Sequence, residues 1–241
     1  MNLGRKISKT LRFVLAFTLA LAICIGSFSV TNYKFKVNAA TNTKTNNPKA
    51  VVTLTIHSDP TGGYYGVNTG TNSFLSIRNK TKNTIRILDV PVEPDGAITI
   101  GTYGNMPEKY GTGVFTNLDA YFIKYRAAFK KRVSLSINLS SQELFTVCDT
   151  IIKNNKHTPL YNCTWFASTV WNSVAPYDYR VLGFNSACIY TPKALADELS
   201  KKYNHKNASQ VGTCNKNDIR RILSKSQYKS VNRKDIPKDI P

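Results

Sequence analysis

One short segment combines residue types that could do nucleophilic chemistry. Asn162-Cys163-Thr164-Trp165-Phe166-Ala167 runs into Val170-Trp171-Asn172, shortly after the helix breaker Pro159. Phe166 and Val170 are four residues apart and share one face of a helix that begins near the cysteine. A thiol at a helix start meets unpaired backbone N–H groups and the positive end of the dipole, and both favour the thiolate. The dipole supplies about 1 kcal/mol, a fivefold change in the thiolate ratio. A thiol with an ordinary pKa of ~8.5 therefore stays mostly protonated at neutral pH. A base, normally a histidine, has to supply the rest. Asn162 and Thr164 flank the thiol and are candidate site-adjacent residues. The plain alternative for Cys163 is a buried structural cysteine or one half of a disulfide.

The chain has three histidines to serve as that base. His57 follows Val52, Leu54 and Ile56 on an alternating run and points to the face opposite them. An exposed strand position is the simple expectation for it. It becomes the candidate catalytic base if its strand neighbours residues 73–77. His157 lies six residues before Cys163, in the loop that contains Pro159, and could fold back on the thiol. His205 opens a basic segment and is the least suited. No C-x-x-C pair and no His/Cys cluster has zinc-ligand spacing, so neither a metal nor a cofactor is expected. Beyond Cys24, the cysteines Cys148, Cys163, Cys188 and Cys214 allow three pairings as two disulfides.

Charge and the N-terminal segment bear on compartment. Residues 1–39 read as a secretory signal: Arg5, Lys6, Lys9 and Arg12 precede an uncharged apolar stretch over residues 13–30, and Val37-Asn38-Ala39 resembles a cleavage site. Retention as an N-terminal anchor is the alternative. Ile23 makes a poor lipoprotein signal before Cys24. The net charge is +19; residues 1–40 hold six Lys/Arg and no Asp/Glu, which leaves +13 on the mature chain. Such a surplus on a secreted or cell-surface protein points to an anionic envelope polymer as partner, or to a solvated basic surface. No helix-turn-helix, zinc-finger spacing or RNA-recognition signature points to nucleic acid. No second membrane span follows.

The elements that must position Cys163 read as strands followed by helices. Residues 40–50 are polar and aperiodic, a flexible linker. Residues 51–57, 73–77, 84–90 and 97–101 alternate or carry β-formers between turn signals such as Asp59-Pro60 and Pro94-Asp95-Gly96. Asn117 then caps a helix with the stripe Leu118, Tyr121, Phe122, Tyr125 and Phe129, ending in Lys130, Lys131 and Arg132. Residues 133–139 form another strand. Ser140-Ser141-Gln142-Glu143 is a capping box before Leu144, Val147, Cys148, Ile151 and Ile152. Thr191-Pro192 opens a helix over residues 193–203. Residues 201–241 carry 11 Lys/Arg against three Asp and read as an appended basic tail, with a short helix over 217–223. The expectation is an α+β fold, an antiparallel sheet packed with helices, in one domain over residues 51–203, with 204–241 as the tail.

In this order, Ser73-Phe74-Leu75-Ser76-Ile77-Arg78-Asn79, Thr99-Ile100-Gly101-Thr102-Tyr103-Gly104, Asn117-Leu118-Asp119, the Cys163 segment and Thr191-Pro192 with Leu195 carry a resemblance. The chain resembles the circularly permuted papain-like cysteine hydrolases of NlpC type, relatives of the lecithin-retinol acyltransferases. The resemblance implies a permuted papain-like fold with Cys163 as nucleophile. In that order the family's histidine comes first, at a strand start, commonly as Gly-His-Ser/Ala-Phe. Here the stretch is Gly70-Thr71-Asn72-Ser73-Phe74, and Asn72 stands where the histidine belongs. Asparagine is neither a base nor a cation.

Two functions follow as expectations. One is an exported cysteine amidase or peptidase acting on a cell-wall peptide or an acyl-amide, with a relocated histidine. The other is a non-catalytic descendant of the fold that binds envelope polymer or a protein partner. A disulfide-stapled secreted interaction protein is a third reading, and it requires Cys163 to be paired.

Overall fold

A computed structural model describes residues 49–63, 68–202, 204–224 and 226–238. The expected signal and nearly all of the linker lie outside them. The fold is α+β: a nine-stranded, mainly antiparallel sheet with four helices packed on it. The strands are β1 (Val52–Asp59), β2 (Asn72–Asn79), β5 (Gly96–Tyr103), β6 (Gly113–Thr116), β7 (Val133–Leu139), β8 (Lys206–Asn207), β9 (Thr213–Cys214), β10 (Arg220–Ile222) and β11 (Tyr228–Ser230). Their order is β11-β10-β6-β5-β2-β1-β7-β8, with β9 pairing β5 in parallel. A separate hairpin joins β3 (Ile85–Ile87) to β4 (Val90–Val92). The single strand expected over residues 84–90 is thus a turn of two, because Leu88 and Asp89 take positive φ, 51° and 60°.

Alternation along the strands separates two cores. Val52, Leu54, Ile56, Leu75, Ile77, Ile98 and Ile100 join an aliphatic cluster with Phe166, Val170, Trp171, Leu195 and Leu199. Helices α2 (Ser141–Lys153), α3 (Cys163–Asn172) and α4 (Pro192–Leu199) contribute to this cluster. The opposite face carries an aromatic cluster of Phe74, Tyr103, Phe115, Phe122 and Phe129, to which α1 (Leu118–Tyr125) contributes.

Helix starts follow the expected capping chemistry where side chains are free to provide it. Ser140 and Glu143 form both bonds of the capping box on α2, and Thr191 caps α4 with Pro192 at its first turn. Asn117 precedes α1 but does not cap it through its side chain; its Oδ1 accepts from Thr99 N–H and its Nδ2 donates to the Asp218 carbonyl. The α1 helix also stops at Tyr125, short of Phe129, since Ala127 and Phe129 sit at positive φ. Helix α4 ends at Leu199 rather than near 203.

Residues beyond 203 meet a different arrangement from an appended tail. β10 pairs β6, β9 pairs β5, and Ile219, Ile222, Val231 and Ile236 are buried. The short helix expected over 217–223 is replaced by β10, whose Arg220 and Arg221 pair with Thr116 and Phe115. Sheet pairing overrides the local pattern here. Among the described residues no helix is long and apolar enough to cross a membrane.

Candidate functional site

Because β2 and β5 are antiparallel, the start of one and the end of the other lie at the same edge of the fold. A cavity of about 410 Å³ opens there, lined by Asn72, Tyr103, Gly104, His157, Pro159 and Cys163 among others. The Cys163 thiol and Asn72 are therefore brought together, on two different elements.

Cys163 is the first residue of α3, and among the described residues no disulfide joins it to Cys148, Cys188 or Cys214. The disulfide-stapled reading loses its requirement. Asn162 caps the helix: its Oδ1 accepts from the N–H groups of Thr164 (3.0 Å) and Trp165 (3.1 Å), and its Nδ2 donates to the Tyr190 carbonyl (2.8 Å). Of the first-turn donors, the N–H of Cys163 itself is the one this cap does not engage. Thr164 is fully buried and shares a hydrogen bond with Ser73 (3.0 Å), which joins Ser58 (2.7 Å), which donates to the Pro192 carbonyl (2.7 Å). This run of hydroxyls pins the start of α3 to β2, β1 and α4.

Burial pushes the Cys163 thiol up from its ordinary value; the Ser73 backbone N–H and the Thr164 hydroxyl oppose that, and Asp119 adds to it. The resting thiol is neutral. Helix siting does not by itself prepare a nucleophile.

Across the cavity, Asn72 is buried and its Nδ2 donates to the Tyr103 hydroxyl (2.9 Å) and to Asp119 Oδ1 (2.9 Å). The Tyr103 hydroxyl donates to the same Oδ1. Asp119 lies in the first turn of α1, on the aromatic face, and is fully buried. Burial raises its carboxyl to about 7, against the pull of the Tyr103 and Asn72 hydrogen bonds. Its Oδ2 has no hydrogen-bond partner among the described residues. Gly101 makes room for it, since a Cβ there would lie 2.8 Å from Oδ2. Tyr103 is in turn pushed well above its ordinary value, first by burial and then by Asp119.

Comparison with protein-family models, curated proteins and solved structures finds no match to this chain.

The histidines fall in different places. His57 lies fully buried on the aromatic face, where it stacks on Phe74 at 4.6 Å. Its Nδ1 and Nε2 are held by Ser134 (2.7 Å) and Ser76 (2.9 Å). It points away from Val52, Leu54 and Ile56 as expected, but it is not exposed. α1 and the chain following it cover that face. Its pKa is depressed well below the ordinary value, by burial first and then by Arg132. Both ring nitrogens are thus engaged away from the cavity. His157, in contrast, lines the cavity with Cys163, close against Gly104, where a Cβ would overlap the ring. Burial lowers its pKa, so it is neutral at pH 7. His205 bonds the Lys202 carbonyl near the C-terminal end of α4.

Sequence reasoning left Asp119 without a role. The available signal was an acidic residue in a helix first turn, off the apolar stripe, with a glycine in the strand that faces it. Only the sheet brings Gly101 under Asp119. Among the described residues, no group of His, Cys, Asp or Glu could hold a metal ion.

Proposed function

We propose that the protein is an exported, permuted papain-like cysteine-hydrolase descendant whose cleft binds a peptide or acyl-amide and has lost its base. The observation that carries this reading is Asn72, whose side chain is spent on Asp119 and Tyr103 in the wall of the cavity that holds Cys163. An imidazole at that position would stand between a carboxylate and the thiol. The carboxamide cannot take the thiol proton. With the thiol held neutral by burial, attack on an amide carbonyl is slow. What remains useful is the cleft itself, with the Cys163 N–H free to donate to a ligand carbonyl. The positive charge of the chain favours ligands carried by an anionic envelope polymer.

A second reading keeps hydrolysis, and His157 favours it. It is a neutral imidazole in the same cavity. It would accept the Cys163 proton as Sγ bonds to the carbonyl carbon. It would then protonate the departing amine, leaving a thioester for water to hydrolyse.

Alkylation of Cys163 by iodoacetamide across pH separates the two. In the wild type the rate should rise only at pH more alkaline than for an ordinary thiol, because burial raises the Cys163 pKa. Asn72→His should move the midpoint down by about 2 pH units by adding a cation next to the thiol. If the wild type already titrates below neutral pH and His157→Ala abolishes that, the base-less reading is wrong and the dyad stands. An unchanged titration in Asn72→His removes position 72 from the site and the permuted assignment with it.

A further inference from the structure

Away from the cleft, the C-terminal segment and α1 bring cations and tyrosines into one band on the aromatic face of the sheet. The Arg233 guanidinium lies over Tyr125 (5.2 Å) and Tyr121 (5.9 Å), whose rings are 5.2 Å apart. Arg126 lies over Tyr121 at 5.7 Å and donates to the Pro237 carbonyl (2.7 Å). Lys109 and Lys229 flank the Tyr110 ring at 5.3 and 5.7 Å; Arg220 and Tyr228 stack on the opposite face, beside Ile222, and are not part of the band. Tyr110 links the groups of the band, because its hydroxyl donates to Asp235 and accepts from Asn232 N–H, next to Arg233.

The acid within the band is already occupied: Asp235 pairs with Lys109 at 2.6 Å. Lys124, Lys229 and Lys234 are exposed, and Tyr125 remains 52% exposed, too much for core packing to explain. A guanidinium stacked on a ring still offers its N–H edge to a carboxylate. Exposed rings offer flat apolar faces to a partner with flat apolar faces of its own.

We propose that this band binds an acidic glycan, a chain of sugar rings bearing carboxylates. A sugar ring face would lie on Tyr125 while Arg233 and Lys229 take the carboxylates. A polymer of phosphates alone would use the cations and leave the tyrosines without a role. Single-stranded nucleic acid would use both, but the export signal in residues 1–39 favours the glycan. The inference does not depend on the state of Cys163.

The test is binding of the intact protein to immobilised alginate, a linear polyuronate, against uncharged dextran, oligo-dT and anionic vesicles. The wild type should bind alginate at low salt, weaken steeply with added salt and ignore dextran. Arg233→Gln and Lys229→Gln should each weaken binding by about three- to fivefold, and Tyr125→Ala by about fivefold. Lys82→Gln, at the exposed turn after β2, should match the wild type. Thermal unfolding checks that each variant is folded. A Tyr125→Ala protein that binds like the wild type would reduce the band to bulk charge and overturn the proposal. So would no binding to alginate, or tighter binding to oligo-dT or vesicles.

Discussion

The two faces of the sheet handle their buried polar groups differently. Under α3 and α4 the polar atoms are neutral hydroxyls, Ser58, Ser73 and Thr164, which hold the start of α3 without a titrating member. The aromatic face buries ionisable groups: His57 between Ser76 and Ser134, and Asp119 under Tyr103 and Asn72. The thiol belongs to the first face and the carboxyl to the second. They meet only at the edge where β2 starts and β5 ends. The lesson is that one face sets position, and the other sets how the site responds to pH.

The largest expected effect would show whether the aromatic face depends on the C-terminal segment. Ile219, Val231 and Ile236 are buried in the aromatic cluster, at about 1.5–3 kcal/mol each. Their sum is comparable with the whole stability of a domain, about 5–15 kcal/mol. Arg221 also donates to Asn155 Oδ1 (2.9 Å), and Asn155 donates to the Ile222 carbonyl (2.7 Å), two residues before His157. Deleting residues 206–241 should therefore abolish the cooperative unfolding transition seen by circular dichroism. A truncated protein that still unfolds cooperatively would make that face self-sufficient.

A smaller effect comes from the two ionisable groups themselves. The Asp119 carboxyl titrates at about 7 when folded and near ~3.9 when unfolded. Between those values the folded state holds the extra proton, so stability falls as pH rises from about 4 to about 7 and stays reduced above. His57 acts on the other limb. Its depressed pKa means that stability falls as pH drops below ~6.5, where the unfolded imidazole takes a proton. Asp119→Asn should flatten the first limb and raise stability at pH 8 by about 2–4 kcal/mol relative to the wild type. Urea midpoints at pH 5 and pH 8 check it. An undiminished pH dependence would mean that Asp119 is not the titrating group.

The smallest effect tests the hydroxyl face. Asn162→Ala removes the cap of α3 and should cost about 1 kcal/mol. The urea midpoint should fall, and the N–H groups of Thr164 and Trp165 should exchange faster with deuterium. The limb owed to Asp119 should be unchanged, because Asn162 does not touch the aromatic face. A changed limb would couple the two faces.

Much of this architecture is legible in the sequence because it rests on local rules. The alternation of β1 and β7, the Ser140–Glu143 capping box, Thr191-Pro192 and the cysteine at a helix start all depend on neighbours in the chain. So does the side of the strand to which His57 points. What the chain could not reveal depends on partners far away in sequence. The turn at Leu88-Asp89 carries no glycine to announce it. Residues 220–222 read locally as helix, and only pairing with β6 makes them a strand.

The sequence by itself determined the helix start that carries Cys163, the neutral residue at position 72 and the balance of charge, since each is a property of residue type and spacing. The tertiary structure alone decided that Asn72 is spent on Asp119, that His57 is sealed between two serines, and that His157 shares the cavity with the thiol. Those outcomes depend on which strand ends meet and on what covers each face. Burial then sets the ionisation of Cys163 and Asp119, because desolvation is a property of surroundings that no single segment contains.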